Sequence, residues 1–271
     1  MAMTVVSHHG KTATRHARLS VGLLAAIVAT GATGSAARAQ VVVPPAVSAA
    51  LGAAYGRYDP ARRCWSASAP NGARSTTGCI AVTRAEPVHT PGGDRLFVLL
   101  GGTGQPDCHA CGGLIAFAVF DTAGTPRLVA RSRPVVDGGY GNPGDPKQMH
   151  LERLGADLWG WIQQSGDVAQ GVEEGRLVVW LPRGDRIEAA GVLDGSHSNM
   201  GGECSMVPRP AGLDCTSISV TYAVDAANAA APNYPILLRA SGRRNGRAVT
   251  AQAAAVFDPG TLTYVQRDKL P

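Results

Sequence analysis

The sequence has no long apolar run. Its most hydrophobic N-terminal segment, Val21 through Leu23, Leu24, Ile27 and Val28 to Ala29, is rich in Gly and Ala. At about ten residues it falls well short of the roughly 20 that a membrane-spanning helix needs, so no span is expected in the mature chain. No twin Arg precedes this segment and no Cys follows it, which argues against folded export and against lipid attachment. The catalytic signatures are missing as well. There is no G-x-S-x-G elbow to present a nucleophile, no C-x-x-C-H for covalent haem, and no acidic spacing that fits a calcium loop. Apolar strands follow one another without intervening helices, which excludes a chain of βαβ units. No cofactor is expected from any of these signals.

What the N-terminus does contain is ordered: Lys11, Arg15 and Arg18, then the short apolar stretch, then small residues ending Ala37-Arg38-Ala39. That succession reads as a secretory signal peptide over residues 1–39, cut near Ala39 by a Sec-type route. The expected destination is the periplasm or the medium. Residues 1–39 hold four of the 25 basic residues and none of the 20 acidic ones, so the remainder has 21 against 20, a net charge of +1. The basic character belongs largely to the leader, and no nucleic-acid partner is expected. Arg243-Arg244 with Arg247 reads as a solvated hairpin tip rather than a phosphate site.

All six cysteines follow the leader: Cys64, Cys79, Cys108, Cys111, Cys204 and Cys215. An even number in an exported chain argues for disulfides. They fall into three sequence-local couples, and short loops close most readily. The expected bridges are therefore Cys64–Cys79, Cys108–Cys111 and Cys204–Cys215.

The prolines of residues 40–45 read as an extended linker. Val47, Leu51, Tyr55 and Tyr58 then recur at spacings of four, four and three, which predicts an amphipathic helix over 46–58, stopped by Asp59-Pro60. From there the chain reads as short strands punctuated by Gly, Pro, Asn and Asp. Among them are Leu96–Leu100, Leu114–Phe120, Leu158–Ile162, Arg176–Leu181, Ile187–Leu193, Ser217–Val224 and Ala248–Phe257. In Ser217–Val224 the residues Ile218, Val220, Tyr222 and Val224 share a face, as in a half-buried strand. The predicted fold is all-β, an antiparallel sandwich or barrel-like sheet with one N-terminal helix, as a single domain over 46–271. Val119-Phe120-Asp121 with Gly124-Thr125 is echoed by Val256-Phe257-Asp258 with Gly260-Thr261. The echo fits either two related hairpins or independent Asp-x-x-Gly turns.

Three stretches invite a chemical reading. Cys108-His109-Ala110-Cys111 resembles a redox or metal motif. A redox pair, however, wants its first Cys at a helix N-terminus, and here Gly112-Gly113 and an apolar strand follow. A zinc site wants four ligands, which His150 and His197 would have to complete. A structural disulfide is the plainer reading. Asp194-Gly195-Ser196-His197-Ser198-Asn199 collects a carboxylate, hydroxyls and an imidazole, but triad members converge from separate elements, so a polar loop pinned by Cys204–Cys215 is expected. Finally, Tyr140 in a Gly/Pro-rich loop and Trp159 and Trp161 two apart on a strand form an aromatic segment. Side chains two apart share a face: toward solvent they would stack on a glycan or peptide ligand, toward the interior they would pack.

Tyr58-Asp59 before Cys64-Trp65, a Cys-x-x-Cys-Gly-Gly strand, Gly-Tyr-Gly-x-Pro and Leu-Trp-Gly-Trp together resemble a group of uncharacterised exported bacterial proteins. The resemblance covers most of the mature chain and implies an exported β-rich domain; it supplies no catalytic residues. The functional expectation is a non-catalytic binding or envelope protein with an unidentified partner. The competing expectation is a hydrolase or metal-dependent enzyme whose site is assembled from loops.

Overall fold

A computed structural model describes residues 41–105, 111–138, 141–208 and 212–271, and these belong to one compact unit. The described residues are all-β with a single α-helix, α1 (Pro45–Tyr55). The helix is followed by β1 (Tyr58–Asp59), β2 (Cys64–Asn71), β3 (Arg74–Thr90), β4 (Gly93–Gly102), β5 (Gly104–Gln105), β6 (Gly113–Asp121), β7 (Arg127–Arg131) and β8 (Val135–Asp137). The second half contributes β9 (Met149–Arg153), β10 (Trp159–Ala169), β11 (Val172–Arg183), β12 (Arg186–Ser198), β13 (Thr216–Val224), β14 (Ile236–Arg244), β15 (Arg247–Asp258) and β16 (Thr263–Gln266).

Proline at the first helical position suits α1, because its missing N–H would be unsatisfied there anyway. Val47, Leu51 and Tyr55 are buried as their spacing predicts. The helix nevertheless stops at Tyr55, not Tyr58. Gly56 takes φ 129°, and a Cβ there would collide with the Ser66 carbonyl. Tyr58 instead opens β1 opposite Trp65, its ring 5.1 Å from the indole.

All 16 strands of the described residues join one mixed sheet. An antiparallel meander β1-β2-β3-β4-β6-β7 forms its first half, with β5 beside β3 and β8 beside β6. Antiparallel runs β9-β10-β11-β12 and β13-β14-β15-β16 form the second. The only parallel contact among the described strands is the Arg131–Arg186 bridge between β7 and β12. The echoed Asp121 ends β6, between β4 and β7, and Asp258 ends β15, between β14 and β16; each carboxylate accepts a turn N–H, from Ala123 and Gly260 respectively.

Alternation along the strands separates three cores. On β4 and β6, Val98, Leu100, Leu114, Ala116, Ala118 and Phe120 face α1 and Trp65. Phe97, Leu99, Ile115, Phe117 and Val119 face the other way, onto Trp161 and Met149. β10 and β11 repeat the device: Trp161 belongs to that middle core, while Ile162, Leu177, Val179 and Leu181 face β13 to β16. The unbroken apolar run of β6 is thus a strand buried on both faces. Its two alanines leave room for α1, whose Tyr55 hydroxyl donates to the Phe117 carbonyl at 2.8 Å.

Two expected disulfides are present. Cys64–Cys79, with Cα atoms 5.4 Å apart, ties β2 to β3. Cys204–Cys215, at 5.6 Å, closes the connection between β12 and β13. The second bridge reinforces a sparse junction, because those strands share only the pairs His197–Ile218 and Ser198–Ser217. Cys108 lies outside the described residues, so Cys108–Cys111 stays an expectation. The Arg243-Arg244 and Arg247 cluster does flank a hairpin tip. Asn245 and Gly246 both take positive φ there (52° and 77°), the two-residue turn that Asn-Gly favours.

Candidate functional site

The aromatic segment separates into two environments. β10 opens at Trp159, and Trp161 follows on the same face, toward the middle core. Trp161 is fully buried, with its ring centroid 5.3 Å from Phe97 and 4.8 Å from Phe117, and stands opposite Trp180 in register. It is a packing residue with no face to offer a ligand. Trp180 is fixed by its indole N–H, which donates to the buried Gln163 side-chain oxygen at 2.8 Å. Tyr140 lies outside the described residues.

Trp159, one step nearer the strand's start, is half-buried and lines a cleft of about 380 Å³ where the first meander faces the β10–β11 hairpin. Phe97, Val119, Val129 and Pro182 give it an apolar wall, while Thr90, Arg95 and Asp157 supply its polar groups. Most of that polarity is already engaged. The Thr90 hydroxyl donates to the Gly93 carbonyl at 2.7 Å. The Arg95 guanidinium lies 2.8 Å from the Asp121 carboxylate and also donates to the Gly92 carbonyl at 3.2 Å. The Asp121 carboxyl is held below the usual carboxylate range, first by the Ala123 N–H and then by Arg95. Arg95 therefore brings little uncompensated charge. Asp157 is exposed, and its carboxylate has no partner among the described residues. The cleft thus offers an indole, an apolar wall and one open acceptor, the furniture for seating a ring and accepting one of its hydroxyls or amides. Only Trp159 was visible as a signal in the sequence. Asp157 stands in a turn, and Phe97, Val119 and Pro182 come from three other strands.

The polar stretch Asp194 to Asn199 is not a loop: β12 continues through Ser198. Its Asp194, Ser196 and Asn199 side chains are committed to structure. Asp194 exchanges hydrogen bonds with the Gln266 side chain and accepts the Leu270 N–H at 2.9 Å. Ser196 Oγ accepts the Val220 N–H at 2.9 Å. Asn199 accepts the Thr216 N–H and donates to the Asp214 carbonyl, both at 2.7 Å. Of the proposed metal set, Cys108 and His109 lie outside the described residues. His150 is on β9, its ring 6.4 Å from Tyr222, and His197 is on β12, paired with Glu174 and Ile218. Among the described residues no three His, Cys, Asp or Glu side chains gather as a metal site would require.

No helix among the described residues is long and apolar enough to cross a membrane. No family model, curated protein or solved structure matches the chain.

Proposed function

We propose that this chain is a periplasmic or secreted protein that binds a glycan or peptide without transforming it, and that the Trp159 cleft is where the ligand sits. In this reading residues 1–39 are removed and residues 46–271 act as one domain. The observation that carries it is the pairing of a half-buried indole with the unengaged Asp157 carboxylate over an apolar wall. Two disulfides support an oxidising destination.

Two measurements test the proposal. Edman sequencing of protein recovered from outside the cytoplasm should begin near Gln40; recovery of the uncut chain inside the cell overturns the export reading. For the ligand, the mature protein is passed over peptidoglycan, chitin and an immobilised random-peptide column. Retention on one of these, abolished in both Trp159→Ala and Asp157→Asn while far-UV dichroism is kept, supports the cleft. No retention on any of the three, or retention that neither substitution alters, overturns it.

A further inference from the structure

The parallel bridge between β7 and β12 places Arg131 beside Arg186. Like charges opposed across a ladder are unfavourable, and a third arginine, Arg133, lies two residues beyond Arg131. The three line a crevice of about 560 Å³, together with Trp180, Asp185 and Glu188. The internal counter-charge is thin. Arg186 comes no nearer than 3.8 Å to Glu188, which is shared with Arg183 at 3.7 Å. Arg133 is exposed, and its guanidinium has no partner among the described residues. Arg131 is held in place: it donates to the Ala54 carbonyl at the end of α1, and its guanidinium carbon stands 5.9 Å above the Tyr55 ring. Carbonyls at a helix C-terminus favour a cation, so this arginine is preorganised rather than free to swing into solvent. The Trp180 indole, fixed by Gln163, forms a rigid flat wall.

We propose that this crevice, separate from the Trp159 cleft, binds an anionic saccharide: a sugar ring bearing a phosphate or a carboxylate. Guanidinium forks match the oxygens of either group, and an indole wall accepts the ring. Asp185 and Glu188 serve to accept ring hydroxyls. The same two carboxylates disfavour a ligand charged along its whole length, such as a nucleic-acid strand, so the fit is to one anion among several hydroxyls.

Calorimetric titration of the mature protein with glucose 6-phosphate, galacturonate, glucose and inorganic phosphate tests the assignment. The expected result is binding of glucose 6-phosphate or galacturonate, whichever oxyanion the forks prefer, more tightly than phosphate and with no response to glucose. Arg133→Gln and Arg186→Gln should each weaken it at least about tenfold, the scale of one lost charge-assisted hydrogen bond, with the melting temperature unchanged. Trp159→Ala should leave it intact, which separates this site from the cleft. Failure of both charged sugars to bind, binding no tighter than phosphate that vanishes at physiological salt, or indifference to both arginine substitutions would each overturn the proposal.

Discussion

Trp159 and Trp161 differ by two positions in sequence and by a whole environment in the fold. Replacing Trp161 by Ala removes a fully buried ring wedged between Phe97 and Phe117, and the expected cost is about 3–5 kcal/mol. Urea unfolding should show a smaller loss for Trp159→Ala, because that ring is only half-buried; equal losses would mean that the cleft is closed in solution. The sequence showed correctly that the two share a face, since strand alternation is local, but the burial of that face depends on β4 and β6, which lie far along the chain. Tyrosines give a second residue-scale test. Burial pushes the phenols of Tyr55 and Tyr264 well above their ordinary value, and Tyr222 is raised by burial first and by the Glu152 carboxylate second. A raised folded-state pKa stabilises the protonated form. That contribution is complete below the unfolded value of about 10 and is lost as the pH climbs above it. The melting temperature should therefore fall steeply on the alkaline side. In a spectrophotometric titration, at least three of the six tyrosines should ionise only as the protein unfolds. Free ionisation of all six at constant dichroism would contradict this packing.

At the scale of elements, the strands that were legible are those with periodic or continuous apolar content. β6, β13 and β15 fall close to the residues expected, because Val, Ile and aromatic alternation is a property of the strand itself. β3 is the long strand that the sequence hid: its 17 residues include Gly78 and Pro87 and a polar start, features that ordinarily break a strand. It persists because β2 pairs with its first part, Arg74 to Ile80, and β4 with the rest, Ala81 to Thr90. α1 is shorter than its spacing predicts for a related reason, since Tyr58 continues the apolar spacing while Gly56 ends the helix. The Cys204–Cys215 bridge is where element-level stability is most exposed to change, because β12 and β13 share just two register pairs. Replacing both cysteines by Ala should cost about 2–3 kcal/mol, the usual worth of so short a closed loop. Hydrogen exchange should quicken first at Thr216 to Ile218; a uniform rise across all strands would show that the bridge braces the whole fold instead.

Across the whole molecule, the three cores are not independent, because adjacent cores share strands. β4 and β6 give one face to the helix-side core and the other to the core around Trp161, and β10 and β11 do the same between that core and the C-terminal one. Removing either outer layer would expose one complete apolar face of strands whose opposite face is still packed, so partial unfolding is costly in buried area. The expected equilibrium behaviour is therefore a single cooperative transition. The tryptophans sit where this can be checked: Trp65 is in the helix-side core and Trp161 in the middle one, while β13 to β16 hold none. Urea curves from tryptophan fluorescence and from far-UV dichroism should superimpose. If dichroism falls in a first step while fluorescence is unchanged, the C-terminal strands are melting alone, and the faces of β10 and β11 that carry Ile162, Leu177 and Val179 bind their own neighbours more weakly than this sharing requires.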